Sequence, residues 1–539
     1  MGNGIRQTFW HFAGATRMMG PSGRARWGGL LAILVLSIIS GGWLLRRKAA
    51  PDGSVYQQAR LFENVVASIH DHYIDSLGEG DLYQTAAQAL VASLHDPYAE
   101  LLTRESYRQY QRQMSGTEVD VGLTSDDRSG SARSRLGPGD EILSIDGKST
   151  RGWSARRVEQ ALSSGSGAIV TIVVRPKGSD IPVVRRLTRT VVHVPATSPG
   201  ILLGGGVGYV ELRRISDGAA DELRQAVDRL VADGMTSLIL DLRGDPGGLI
   251  NEGVRVAGLF LKTGDTVAFS RGRSRNHSKV YLAGTSGGWR GLRLALLVNH
   301  GTASSAELIA GALQDHDRAA ILGTPSFGKG VLQTTYPLGE EIAIKLTTAR
   351  WYTPSGRTVQ RPKPDAEGAL GNRTPAQLPQ IFHTATGRPI HDASGILPDL
   401  PVRGIPRSDA ERALLSAMGE DLAVFRAVLA DYAADLKKVR PPRSESFRVT
   451  TEMREQVYER LQENEVELSH TLYDAASGYV DEQLGYELTR TVFGAVSEAR
   501  RRALSDRQMQ AAVRLLRRGT SQEHVIMLAQ TERARTIAH

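Results

Sequence analysis

Residues 301–333, GTASSAELIAGALQDHDRAAILGTPSFGKGVLQ, hold a serine, a lysine and a glutamine at spacings that suit Ser-Lys hydrolysis of a peptide bond. A serine hydroxyl attacks a carbonyl only when a base takes its proton. A lysine amine can be that base only if its pKa falls from about 10.4 toward neutrality, which requires desolvation. Ser304 sits where an apolar strand, LRLALLVN, gives way to a helix, SSAELIAGALQ. That places it at the positive end of a helix dipole beside unpaired N–H groups, where an alkoxide and an oxyanion are both favoured. The plain alternative is structural, because Ser304 and Glu307 also spell an S-x-x-E capping box. Lys329 lies in a Gly-Lys-Gly step open to a substrate, though alone it reads as an exposed loop lysine. Gln333 is four residues further, and on a strand it would share a face with Lys329 and could orient the amine; otherwise it is a solvated strand residue. A second segment, DLRGDPGG at 241–248, follows an apolar strand and opens a helix. Its glycine N–H groups suit the oxyanion of a tetrahedral intermediate, or they simply make a tight turn. Neither G-x-x-x-x-G-K-[ST] nor G-x-G-x-x-G is present, which disfavours a phosphate loop.

These residues need a scaffold, and the pattern supplies one. From 204 onward strands (VGYVEL, SLILDLRG, RLALLVN, AAILG) alternate with helices (DGAADELRQAVDRLVADG, LINEGVRVAGLFL, SSAELIAGALQ), predicting an α/β domain with a largely parallel sheet. Residues 56–114 carry helical periodicity through Leu61, Val65, Ile69, Leu90 and Leu94. His70 and His72 lie two apart on that helix and point in different directions, so they are not expected to bind metal together. Residues 117–190 combine LGPGDEILSIDG, SARRVEQAL and AIVTIVVR, a turn-strand, helix and strand order that resembles a PDZ domain, whose usual task is to capture peptide tails by strand addition. Residues 360–395 are rich in Pro and Gly and are expected to form a surface excursion. The stretch 405–539 reads as solvated amphipathic helices outside the catalytic core.

At 539 residues the chain exceeds one hydrophobic core. Its net charge is +8, yet seven uncompensated basic residues before position 49 account for all but one unit, which argues against a nucleic-acid partner. With no cysteine, thiolate nucleophiles, disulfides and Cys-based metal sites are excluded. Between Arg26 and Arg46 runs WGGLLAILVLSIISGGWLL, long enough to cross a hydrocarbon core as a helix, with tryptophan at both ends. It is expected to be a signal anchor over 27–45, following a basic cytoplasmic leader at 1–26, with a cleaved signal peptide as the nearest alternative.

Taken together, GTASSAE, GALQD, SFGKGVLQ, DLRGDPGG, LHDPYAELL, ARWYTPSGRTVQ and GILPDLPV make the chain, over about residues 56–402, resemble the carboxyl-terminal processing peptidases, or tail-specific proteases. The resemblance implies a ClpP/crotonase-like α/β peptidase domain at 191–404 with a PDZ-like module at 117–190, N-terminal helices at 56–116 after one transmembrane helix, and a helical region at 405–539. It implies Ser304 as nucleophile rather than Ser305, Lys329 as base, Gln333 as its orienting partner, and oxyanion donors from the N–H of Gly247 or Gly248 and of Ser305. Asp315, eleven residues after the serine, and Glu307 are expected to give structural support. Two departures stand out. Asp245 replaces a usual Asn and adds charge near the oxyanion site, and between Leu123 and Leu136 the PDZ-like module has only TSDDRSGSARSR where another apolar strand is usual. The expectation is therefore a single-pass membrane enzyme, with its catalytic domain periplasmic or equivalent, that cleaves proteins near accessible C-termini and needs no metal or organic cofactor. Copies could associate through the helical regions. A peptide-binding scaffold without catalysis and a crotonase-like acyl-CoA enzyme are the alternatives.

Overall fold

The computed structural model describes residues 53–121, 140–163, 169–176, 178–284, 288–289, 291–361, 380–391 and 395–537. The expected leader and membrane anchor, and the polar run 124–135, lie outside the described residues. Among those described, no helix is long and apolar enough to cross a membrane. The chain divides into two compact units, the first ending at Leu94.

In the first unit the predicted periodicity yields two helices, Gly53–His72 and Glu79–Ala92, which bury Val66 and Val91 and bring the Phe62 and Tyr83 rings within 5.9 Å. His70 and His72 turn to separate backbone carbonyls, Leu77 and Ser68, as their divergent directions require.

The second unit is built on a six-stranded sheet ordered Leu400–Pro401, Ala320–Gly323, Arg293–Val298, Ser237–Asp241, Val207–Glu211, Ile201–Leu202. All its pairings are parallel except the last, a hairpin. Alternate residues serve opposite faces. Leu238, Leu240, Leu294 and Leu296 pack on Leu223, Val256 and Leu308 of the helices Ala219–Ala232, Ile250–Gly258 and Ser305–Asp315. Ile239, Ala295, Leu297, Ala320 and Leu322 face the other way, onto Met509, Ala512, Leu515, Leu516, Val525 and Ile526. Those residues belong to the last two helices, Arg507–Arg518 and Gln522–Ile537. The C-terminal region is thus only partly what its charges suggested. Its final two helices form the third layer of the catalytic domain, because a parallel sheet buried on both faces needs cover on both. The helices from Asp409 to Phe493 close around a core of their own that includes Phe425, Tyr432, Leu461 and Tyr473.

A second, antiparallel sheet joins Glu100–Thr103, Ile342–Tyr352, Thr266–Gly272 and Val280–Leu282, with Val331–Pro337 also on Ile342–Tyr352. The expected N-terminal helical region therefore does not extend unbroken to 116, since Glu100–Thr103 is a strand of this sheet. Between 117 and 193 stands a four-stranded sheet of Lys148–Ser149, Glu141–Ile145, Ile169–Arg175 and Val183–Thr188, covered by the helix Ala155–Ser163, with Leu162, Val170, Ile172 and Leu187 buried. In the expected surface excursion, Ile381–His383 and Pro389–His391 form a hairpin, and its Ala385 N–H donates to the Asp315 carbonyl at 2.7 Å.

Candidate active site

Three turns meet at the carboxyl ends of the parallel strands. The first, 242–248, leaves Ser237–Asp241 with Asn299 Oδ1 accepting the Gly244 N–H at 3.0 Å and the Leu242 carbonyl accepting the Thr302 hydroxyl at 2.7 Å. The second, 299–304, precedes the serine helix and donates the Ala303 N–H to the Asp245 carbonyl at 2.9 Å. The third, 324–330, donates the Phe327 N–H to the Thr302 carbonyl at 2.9 Å. Each backbone bond is modest, but together they fix the relative height of the three turns.

Ser304 adopts φ 56° and ψ −119°, a left-handed conformation that a non-glycine residue holds only when its surroundings impose it. It keeps 8% of its surface, whereas Ser305 is fully buried in the first helical turn, with its Cβ against Gly253 and its Oγ without a partner. Of the two serines, only Ser304 keeps any exposed surface.

Glu307 connects the serine to the lysine. Its buried carboxylate accepts the N–H groups of Ser304 at 3.0 Å, Lys329 at 2.8 Å and Gly328 at 2.7 Å, and the Ser326 hydroxyl at 2.5 Å. Glu307 therefore completes its half of the capping box and also seats the lysine turn on the serine helix. Burial raises its pKa, although these four donors oppose that rise.

The Lys329 side chain does not hydrogen-bond Ser304. Its Nζ lies 4.8 Å from the centre of the Tyr98 ring, and its carbonyl accepts the Trp351 indole N–H at 3.1 Å. Burial first, and then the nearby Lys345, lower the Lys329 pKa, with Asp96 and Glu307 acting against them. Gln333 is on the following strand, which begins at Val331, so that Lys329 itself lies just before it. The strand opposite it carries a bulge, since Leu332 pairs with Ala349 and Gln333 with Thr347, leaving Thr348 as the extra residue. The Gln333 amide nitrogen is nevertheless buried and unpartnered, as is Oγ1 of Thr347 opposite it. A buried amide nitrogen without an acceptor is costly to leave so.

The oxyanion expectation is altered in one respect. The Gly247 N–H donates to Asp245 Oδ1 at 2.8 Å and is not free. Among the described residues the N–H groups of Gly248 and Ser305 have no acceptor. Gly247, at φ 86°, brings its backbone so close to Ser304 and Ser305 that an added Cβ would stand 3.0 Å from Ser304 Cβ and 2.9 Å from the Ser305 nitrogen. Asp315 pairs with Arg357 at 2.8 Å, both buried, and accepts the Ser355 N–H at 2.9 Å. It supports the back of the serine helix, away from the chemistry.

Arg243 escaped the sequence reading. It chelates Asp241, its guanidinium reaching Oδ2 at 2.7 Å, and extends to Asp506 at 2.6 Å and Gln508 at 2.7 Å. The partners at 506 and 508 lie too far along the chain for any local pattern to suggest them.

Comparison with known proteins agrees with this geometry. The profile of Peptidase family S41 matches residues 206–367. A carboxy-terminal-processing protease of Bartonella bacilliformis is 30% identical over 323 residues, 57% of this chain and 74% of that protein. A probable CtpA-like serine protease of Staphylococcus haemolyticus is 27% identical over 315 residues, 56% of this chain and 63% of that protein. Among solved structures, the photosystem II D1 C-terminal processing protease aligns at 24% identity with a TM-score of 0.36, covering 64% of this chain and 92% of that one. With its serine at the mouth of a parallel sheet and a relative matched over most of its length, the chain belongs to Peptidase family S41, as a serine-type carboxy-terminal-processing protease.

Proposed function

We propose that the chain hydrolyses peptide bonds near the C-termini of proteins through an acyl-enzyme on Ser304. The neutral Lys329 amine takes the Ser304 proton as Oγ attacks the scissile carbonyl carbon. The oxyanion so formed is held by the N–H groups of Gly248 and Ser305. As the intermediate collapses, the C–N bond breaks and the Lys329 ammonium returns the proton to the leaving amine. Water then repeats the sequence on the ester and frees Ser304. Lys329 must leave the Tyr98 ring to reach Ser304, and Gln333 then turns its amide oxygen to the Lys329 nitrogen. The observation that carries this reading is Glu307, one carboxylate holding the backbone N–H of both Ser304 and Lys329. No step calls for a metal or organic cofactor.

We further infer that residues 27–45 anchor the enzyme in a membrane with its catalytic body outside the cytoplasm, on the strength of the charge-flanked apolar run. The β module at 117–190 would act as a gate beside the site more than as a tight receptor for tails. Labelling with a fluorophosphonate and cleavage of a peptide substrate test the chemistry. Ser304→Ala should lose both and Ser305→Ala should keep the label. The reverse result would assign the nucleophile to Ser305. Protease protection of the C-terminal helices in intact spheroplasts would refute the extracytoplasmic placement.

A further inference from the structure

The turn behind the oxyanion donors contains an ionisable group that the proposed chemistry does not use. Asp245 is fully buried. Its Oδ1 accepts the Gly247 N–H at 2.8 Å, its own N–H donates to the Leu242 carbonyl at 3.2 Å, and its carbonyl accepts the Ala303 N–H at 2.9 Å. Oδ2 is buried and has no partner among the described residues. A carboxylate so placed would give up its hydration for a single hydrogen bond, whereas a neutral acid can accept through Oδ1 and leave much less charge bare at Oδ2.

The surrounding charges do not rescue the anion. Arg214, from the segment beside Gly248, attracts it, but that guanidinium is shared with Glu118 at 3.1 Å. Arg243 of the same turn is taken by Asp241 and Asp506. From the serine helix comes Glu307, itself acidic, and from the third turn Lys329, whose ammonium lies over Tyr98. Burial outweighs the Gly247 N–H and Arg214, and the Asp245 pKa is pushed up to about 8.

We propose that Asp245 is a positioning residue that holds the oxyanion turn as a neutral carboxylic acid, and that its ionisation disables the turn at alkaline pH. The inference rests on the Ser304 reading. Gly247, which Asp245 fixes, abuts Ser304 and the Ser305 nitrogen. A negative charge there would oppose the oxyanion that the Gly248 and Ser305 N–H groups stabilise, and it would pull on the turn that aims them.

The test compares wild type with Asp245→Asn, a neutral group of the same shape, between about pH 6 and pH 10. The ratio of variant to wild-type kcat/KM should rise roughly tenfold or more toward the alkaline end, since only the wild type acquires the charge. A ratio independent of pH would overturn the proposal. Thermal midpoints in a Ser304→Ala background supply a second readout that needs no activity. An acid whose folded pKa is raised contributes stability that is present below its unfolded value and is lost as pH rises toward about 8. Ser304→Ala alone should therefore lose several degrees more between about pH 5 and pH 9 than the double variant with Asp245→Asn. Equal losses would also overturn the proposal. If Asn does not fold, Asp245→Ser serves, because it too is neutral and can accept the Gly247 N–H. Should Ser304→Ala stay active, the nucleophile is misassigned, and the thermal comparison still judges Asp245.

Discussion

Glu307 illustrates how much a single side chain can do at this site without touching substrate. Four donors converge on it, so Glu307→Ala would leave several buried N–H and O–H groups unsatisfied at about 1–3 kcal/mol each. We expect a drop of at least ~3 kcal/mol in stability, read by denaturant unfolding, and a near-total loss of turnover. Glu307→Gln keeps one acceptor oxygen and should fall between. As the proposed base, Lys329 is expected to set the acid limb of activity. Its lowered pKa means that the working amine appears as pH rises, so kcat/KM should climb from neutral pH until Asp245 ionises. Lys329→Arg should be inactive at every pH, because a guanidinium stays protonated. Residual activity of the arginine variant that climbs with pH would show that another group is the base.

At the scale of elements, the strand-to-helix turns were legible because their chemistry is local. GTASSAE after LRLALLVN and DLRGDPGG at the end of SLILD announce a junction in the alternation of apolar and polar residues, and the parallel sheet follows from the βα order. What was not legible depends on contacts distant in sequence. Nothing near Gln333 foretells the bulge at Thr348 on the strand opposite it, because a bulge is set by how Val331–Pro337 meets Ile342–Tyr352. Likewise the Gly247 N–H looked free until Asp245 folded back on it. The close approach of the first turn makes a sharp prediction. A Cβ on Gly248 would stand 2.2 Å from the Ile215 carbonyl oxygen, at a φ of 157°. Gly248→Ala must therefore displace the turn, and we expect kcat to fall by about a hundredfold or more, as when an oxyanion donor is removed. Wild-type turnover from a well-folded Gly248→Ala protein would place the oxyanion elsewhere.

Across the whole molecule, the C-terminal helices give the catalytic sheet its second cover, a role their charge-rich sequence hid. Arg507–Arg518 reads RQMQAAVRLLRR, and only the narrow stripe of Met509, Ala512, Leu515 and Leu516 betrays a buried face. That stripe meets Ile239, Ala295, Leu297, Ala320 and Leu322, the side of the sheet opposite the serine helix. The same segment begins at Asp506, whose carboxylate caps it through the Gln508 and Met509 N–H groups and also receives Arg243 from the strand end that starts the oxyanion turn. Asp506→Ala should remove both, costing about 1–2 kcal/mol for the cap alone and lowering turnover through the loosened turn. Removing residues 507–539 is more drastic, because it uncovers the apolar face of a parallel sheet that water cannot satisfy. The truncated chain should accumulate in aggregates, and any soluble fraction should show neither fluorophosphonate labelling nor a cooperative thermal transition of the catalytic domain. A truncated protein that is soluble, folded and active would mean that the outer face of the sheet tolerates solvent, and that Arg243 positions the turn without Gln508.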